Sequence, residues 1–457
     1  MRAALFSLAS GVALAATPAL AEPVLLISID GLRPGDVTEA EQRGLKVPNL
    51  RRFVKEGAFA TGVTGVLPTV TYPSHATLLT GVSPARHGVV NNNTFDPTQI
   101  NASGWYWYAS DIKVPTLWSV AGTAGLKVAN VHWPVSVGAK GVSWNLPQIW
   151  RSGHGDDAKL LTALASPGLV AELEAKVGKA YAPGIDEDIA GDENRGRFAV
   201  ELIKTRKPDF ATVYLTALDH EQHLEGPGTP KAHAVLERID TVIGQLVAAE
   251  LAARPDAVIA VVSDHGFEPI ARETNFFRAF IDAELIKLDP AGKVIAWEAM
   301  PWPSGGSVAI VLARPDDQQL VAKVRNLLGS LKADPANAIA AVAEAAEIKQ
   351  MGGNPGASFY INMAADAAAG GFAGKGALVN GSPKYKGTHG YFPAIEHLRS
   401  TFLIMGKGIP QGRSLGQIDM RAIAPTLAAV LKVKLPDAEV PALVLMPAQA
   451  KAAKSRR

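Results

Sequence analysis

Short runs of β-branched and aliphatic residues alternate along the chain with longer stretches in which apolar positions recur at helical spacing. The runs at 24–29, 127–131, 210–215, 257–262 and 401–405 predict strands, and periodic stretches within 47–56, 116–124, 199–205 and 232–251 predict helices. This alternation belongs to an α/β fold whose central sheet is mostly parallel and flanked by helices. The stretch 301–381 differs, with a strand-like run at 307–312, a helical pattern at 318–331, an alanine-rich 338–347, frequent glycine and no histidine. It reads as a smaller α/β lobe inserted between two parts of the core, 22–300 and 382–450. The chain shows no internal repeat.

The beginning of the chain has a different character. Arg2, the apolar run 3–16 and Ala19-Leu20-Ala21 form the pattern of an export leader, so residues 1–21 are expected to be removed before Glu22. The mature protein is then exported, periplasmic or secreted. No later stretch approaches 18 consecutive apolar residues, and no membrane span is expected in the mature chain. The other end, 451–457, is a short basic tail. With 45 Lys+Arg against 43 Asp+Glu the net charge is +2, or +1 without Arg2, which argues against a nucleic-acid-binding patch. There is no cysteine, so disulfides, thiolate metal sites and a cysteine nucleophile are all excluded. Any metal must sit on histidine and carboxylates.

Three predicted strands run into acidic residues: Asp30 follows 24–29, Asp219 lies just past 210–215, and Asp264 follows 257–262. Ligands of parallel α/β sheets bind beyond the carboxyl ends of the strands, so these side chains can converge on one crevice. Any one of them alone would serve equally well as a helix N-cap. Histidines strengthen the functional reading. Asp219 and His223 are four apart, which puts both on one helical face and lets them chelate one ion. His265 follows Asp264 directly, and His389 lies in the glycine-flanked Gly387-Thr388-His389-Gly390. Such a donor set, without thiolates, suits zinc or another divalent ion. In Pro68–Gly81, Thr71 reads as the N-cap of a helix with Pro73 in its first turn and Gly81 at its end. A helix N-terminus offers free N–H groups and a positive dipole end to a phosphate, here beside the Thr71 hydroxyl. A threonine hydroxyl needs a metal to become a useful nucleophile near neutral pH, so nucleophile and metal ligands explain each other.

In this order, Ile29-Asp30-Gly31, Pro68-x-x-Thr71-Tyr72-Pro73, Thr80-Gly81-x-x-Pro84-x-x-His87-Gly88, Asp219-x-x-x-His223-x-x-Gly226-Pro227, Ser263-Asp264-His265-Gly266 and Gly387-Thr388-His389-Gly390 form a set. The set resembles the motifs of the nucleotide pyrophosphatase/phosphodiesterase family of the alkaline phosphatase superfamily. The resemblance runs from Val24 to the Ile423 segment and implies an alkaline-phosphatase-like core. It implies two divalent metal ions, zinc being expected, one on Asp219, His223 and His389 and the other on Asp30, Asp264, His265 and Thr71. It also implies attack by Thr71 through a phospho-threonine intermediate on a small-molecule phosphodiester or nucleotide substrate. Asn92 matches the donor to a phosphoryl oxygen, although Asn92-Asn93-Thr94 is also a formal glycosylation acceptor and the two uses exclude each other. Tyr72 and Tyr214 match positions where the family places aromatics around the leaving nucleotide's base, with core packing as the alternative, more so for Tyr214 than for Tyr72.

Two departures bear on the substrate. Ser74 stands where many members have asparagine, and Trp133-Pro134-Val135 replaces the more usual Trp-Pro-Gly. No arginine follows Thr71 closely, which favours diesters over doubly charged monoesters. Ser83-Pro84-Ala85-Arg86 has the wrong spacing for a sulfatase signature. A phosphomonoesterase, phosphonate hydrolase or lipid-headgroup phosphodiesterase using the same metals is the alternative.

Overall fold

The computed structural model describes residues 21–100, 104–149, 154–371 and 374–445. The expected leader, except its last residue, and the basic tail lie outside the described residues.

An eight-stranded sheet organises the chain in the spatial order 413–414, 58–59, 402–406, 258–262, 24–29, 210–215, 128–131, 144–146. The five strands from 258–262 to 144–146 are mutually parallel, and Phe402–Gly406 joins them antiparallel. Val24–Ile29 lies at the centre and is buried along its whole length, as an uninterrupted apolar run requires. Alternate residues feed two different cores. Leu25, Ile27 and Ile29 pack with the helices Pro48–Glu56, Ile189–Arg206 and Pro230–Ala253 on one face. Val24 and Leu26 pack on the other with Leu78, Leu79, Leu117, Ile423 and Leu427, from the helices Thr71–Thr80, Leu117–Thr123 and Ile423–Val430. This period-two division makes the sheet a wall between two hydrophobic layers.

All the predicted strands and helices are present, with one shift of substance. The helix expected within 199–205 begins at Ile189 and runs to Arg206. Its first half buries Gly191, Asp192, Asn194 and Arg195, a polar inner face on which apolar periodicity is blind. The stretch expected to be an insertion contributes to a four-stranded antiparallel sheet in the order 299–303, 307–312, 359–363, 339–344. Helix Gln318–Ala333 covers it through Leu320, Val324, Leu328 and Leu331. The alanine-rich segment divides into the strand Ile339–Glu344 and the helix Ala345–Gln350.

Candidate active site

Strand register assembles the acidic residues. Ser28 pairs with Val262 and Ile29 with Leu215, so the chain leaves three adjacent parallel strands at one level, with Asp30, Asp264 and the Thr216 turn side by side. Asp219 follows within the first turn of the helix Ala217–Glu225 and His223 within its last. His389 arrives from the segment after Gly387–Thr388, which pairs with Glu268 and Pro269 downstream of His265.

Two sets of three donors result. The ligand atoms of Asp30, Asp264 and His265 lie within 4.8 Å of one another, as do those of Asp219, His223 and His389. In the first set His265 Nε2 is 3.3 Å from Asp30 Oδ1 and 3.1 Å from Asp264 Oδ2. In the second, Asp219 Oδ2 is 3.5 Å from His223 Nε2 and its Oδ1 is 3.6 Å from His389 Nε2. The His265 and His389 rings stack at 3.6 Å and 8°, so the sets are back to back. Three carbonyls orient the imidazoles: Nδ1 lies 2.9 Å from Gly387 O for His223, 3.1 Å from Gly266 O for His265, and 3.2 Å from Thr69 O for His389. A carbonyl only accepts, so each Nδ1 carries the hydrogen and each Nε2 turns a lone pair to its neighbours, the arrangement of a metal-ligating histidine.

The donors fit cations. Asp30 Oδ1, Asp219 Oδ1, Asp264 Oδ2 and His265 Nε2 are buried without a hydrogen-bond partner, a costly state unless an ion completes it. Burial first, then the neighbouring carboxylate charges, raises the Asp30 and Asp219 carboxyls well above their usual range. Burial works the same way on Asp264, but His265 and His75 outweigh it and hold that carboxyl down. Burial lowers His223 to about 4 and takes His389 well below its ordinary value, so both are neutral and free to coordinate near pH 7.

Thr71 is the first residue of its helix rather than the N-cap, which is Val70 with extended backbone and no side-chain cap. Its hydroxyl therefore has no capping duty. His75, one turn on and fully buried, has Nδ1 2.7 Å from the Thr71 carbonyl and Nε2 2.8 Å from Ser28 Oγ. The same Nδ1 is 3.7 Å from Asp264 Oδ2, which ties the Thr71 backbone to the Asp30–Asp264 set. Burial lowers His75 to about 4, so it is a neutral strut. Asn92 Oδ1 accepts from the Tyr72 N–H at 2.9 Å, leaving the amide nitrogen as the available donor at the helix N-terminus.

For the two tyrosines the burial favours core packing over contact with a base. Tyr72 is fully buried, its ring 5.4 Å from Trp105 in a cluster with Ala76, Val89, Ile112 and Val135, and presents no open face to a base. Tyr214 is likewise buried, packed against His75, and its hydroxyl donates to Asp30 Oδ2. It lies on the central sheet beneath the carboxylates, because side-chain alternation from Leu215 turns it toward Ser28 and the nucleophile helix. The two departures in sequence also leave marks. Ser74 Oγ is buried without a partner, and Val135 adopts φ +54°, a left-handed conformation that glycine takes freely and a β-branched residue does not.

Sequence reasoning passed over a supporting ion pair. Arg195, fully buried, bonds Asp192, the carbonyls of Gly184 and Asp186 (the latter at 2.8 Å) and Thr216 Oγ1 at 2.6 Å. Asp192 accepts the N–H groups of Thr216 and Ala217 at 2.9 Å each, fixing the start of the helix that carries Asp219 and His223. The i,i+3 spacing of Asp192 and Arg195 was the available signal, but exposed helices show the same spacing.

A family model described as type I phosphodiesterase / nucleotide pyrophosphatase matches residues 24–354, and the chain belongs to that family. Human ectonucleotide pyrophosphatase/phosphodiesterase family member 1 is 26% identical over 261 residues, covering 54% of this chain and 24% of the relative. Venom phosphodiesterase 2 of Crotalus adamanteus is 24% identical over 259 residues, 54% of this chain and 27% of the relative. The matches thus span about a quarter of the length of these curated relatives. Among solved structures, human ectonucleotide pyrophosphatase/phosphodiesterase 5 superposes with a TM-score of 0.62 at 18% identity, covering 90% of this chain and 96% of that one. An inactive variant of the murine protein in complex with AMP gives 0.64 at 17% identity, covering 92% and 96%. This likeness establishes an alkaline-phosphatase-like fold.

Proposed function

We propose that the protein is an exported phosphodiesterase/nucleotide pyrophosphatase that cleaves phosphodiester or pyrophosphate bonds through a phospho-threonine on Thr71. The observation that carries this reading is the pair of His/Asp sets, back to back beside the N-terminus of the Thr71 helix. Asp219, His223 and His389 would hold one divalent ion and Asp30, Asp264 and His265, with Thr71, the other, zinc suiting the nitrogen and oxygen donors. When bound, such ions supply positive charge at the reacting oxygens and lower the pKa of a hydroxyl. The chain does the rest. Thr71 Oγ1 loses its proton and bonds to phosphorus as the bond to the leaving oxygen breaks, and the leaving group takes up a proton. Water then attacks the phospho-threonine and restores the hydroxyl. The Asn92 amide nitrogen and the helix N-terminus stabilise the phosphoryl oxygens.

Diesters and pyrophosphates suit the site better than monoesters. The first arginine after Thr71 is Arg86, which is committed to Asp437 O at 2.9 Å and so is not free to meet a dianionic phosphoryl group. Support for export comes from the leader pattern of residues 1–21; among the described residues, no helix is long and apolar enough to cross a membrane.

Thr71→Ala is expected to fold and lose at least about a thousandfold in turnover of a nucleotide p-nitrophenyl ester, or about 4 kcal/mol, while Thr71→Ser keeps substantial activity. A chiral-phosphorus diester should be hydrolysed with retention, since two in-line displacements cancel. Inversion would exclude the covalent step.

A further inference from the structure

The site opens on one side. Of the six metal-type ligands, His223 has the most accessible side chain, at 22%, against 11% for Asp219, 9% for His389 and 4% or less for Asp30, Asp264 and His265. Among these six ligands His223 is the one that borders solvent. Its outer flank is built by the segment preceding His389. The Lys386 N–H donates to His223 O at 2.8 Å, and Gly387 O lies 2.9 Å from His223 Nδ1. A Cβ at Gly387 would meet the Gln222 carbonyl at 2.5 Å, so only glycine brings the segment this close. That anchoring fixes Tyr385, whose ring lies 5.2 Å from the His223 ring and is 40% exposed. The exposed Lys384 places its ammonium 5.2 Å from the centre of that ring. Lys386, by contrast, is engaged with Glu225 at 3.6 Å.

Direction follows from the chemistry. Under the proposed mechanism Thr71 belongs with the Asp30–Asp264 set, to which its backbone carbonyl is tied through His75. In an in-line displacement the leaving oxygen lies opposite the attacking one, so the departing group faces the other set, where His223 borders solvent. We propose that Lys384, carried on Tyr385, forms a leaving-group subsite that selects anionic, phosphate-bearing leaving groups over neutral or singly charged organic ones. The inference rests on the phosphodiesterase reading above. For a nucleoside triphosphate the bond between the α-phosphorus and its bridging oxygen breaks as Thr71 Oγ1 bonds to phosphorus. The electron pair leaves with pyrophosphate, whose charge the ammonium meets. Tyr385 serves as a positioning residue, since its ring holds the lysine over the opening.

The test compares thymidine 5′-triphosphate with the p-nitrophenyl ester of thymidine 5′-monophosphate, which share the retained nucleotidyl group and differ only in what leaves. Lys384→Ala should lower the ratio of kcat/KM, triphosphate over ester, about tenfold, the loss of one charge-assisted contact. Lys384→Arg should restore most of it, and Tyr385→Leu should lower it about threefold by releasing the lysine. An unchanged ratio in Lys384→Ala overturns the subsite. Calorimetric titration of the metal-loaded protein with inorganic pyrophosphate needs no turnover: about tenfold weaker binding to Lys384→Ala supports the subsite, and equal affinity overturns it. A wild type that binds pyrophosphate through Lys384 but cleaves neither substrate would instead count against the phosphodiesterase reading.

Discussion

Tyr214 and Tyr385 show how differently one side chain is used at two depths of the same site. Tyr385 stands at the rim with its ring partly in water, whereas Tyr214 is closed in beneath the carboxylates with its hydroxyl on Asp30 Oδ2. That bond favours the ionised carboxylate, partly offsetting the burial and the neighbouring charges that raise Asp30. It also fixes which oxygen remains for a cation, since Asp30 Oδ1 is the unpartnered one. Tyr214→Phe preserves the packing against His75 and removes only this donor. The expected outcome is a 10- to 100-fold loss of affinity for one of two divalent ions, read by competition with a chromogenic chelator. Equal weakening of both ions, or of neither, would mean that the hydroxyl does not orient Asp30. From sequence, Asp30 was legible because an acidic residue ends an apolar run, and that juxtaposition is local. The fate of the two tyrosines was not: whether an aromatic near a motif faces substrate or core depends on which sheet face its strand presents, and only the assembled neighbours decide that.

Among elements, the helix Ala217–Glu225 depends most on support from elsewhere. It is short, it carries two of the six metal-type donors, and its first turn is held by the Asp192 carboxylate rather than by a cap of its own. The Arg195 guanidinium in turn neutralises Asp192 and reaches the Gly184 and Asp186 carbonyls, so one buried pair joins the helix Ile189–Arg206, the preceding loop and the metal-ligand helix. Breaking a buried pair from one side leaves a charge without its counter-ion. Arg195→Met should therefore cost about 3–5 kcal/mol in denaturant unfolding and release the ion of the Asp219 set before that of the Asp30 set. Arg195→Lys should recover only part of this, because a single ammonium cannot replace the planar fork. A variant with unchanged stability and full metal content would remove Arg195 from the positioning of the site. The apolar faces of the helices could be read from periodicity, since the period repeats along the chain. This polar brace could not, because its partners are brought together by three separate segments and each residue type is ordinary on a solvated helix.

At the scale of the molecule, the donor sets join strands of the central sheet to the short helix Ala217–Glu225 and to the segment around His389. Asp30 and Asp264 extend from central strands packed on both faces, and these are expected to stay in place whatever the site contains. Asp219 and His223 sit on a short helix, and His389 comes from a segment held by the pairing of Gly387–Thr388 with Glu268 and Pro269, by bonds to His223 and Thr69, and by the Ser307 hydroxyl donating to Gly390 O. Without cations, three buried carboxylates face one another across this junction, and burial has removed the water that would screen them. Ions bound only by the folded chain stabilise it by mass action, about 4 kcal/mol for a free concentration a thousand times the dissociation constant. Exhaustive chelation should therefore lower Tm by several degrees, about 1 °C for each kcal/mol lost in a chain of this size, since the unfolding entropy grows with length. Hydrogen exchange should locate the loss, with amides of 217–225 and 386–390 losing protection while those of Val24–Ile29 and Val258–Val262 keep theirs. Restoring zinc should reverse both changes. If verified removal of metal left Tm and the exchange pattern unchanged, the six donors would be self-sufficient as a hydrogen-bonded network, and their unpartnered oxygens would have to be met by water.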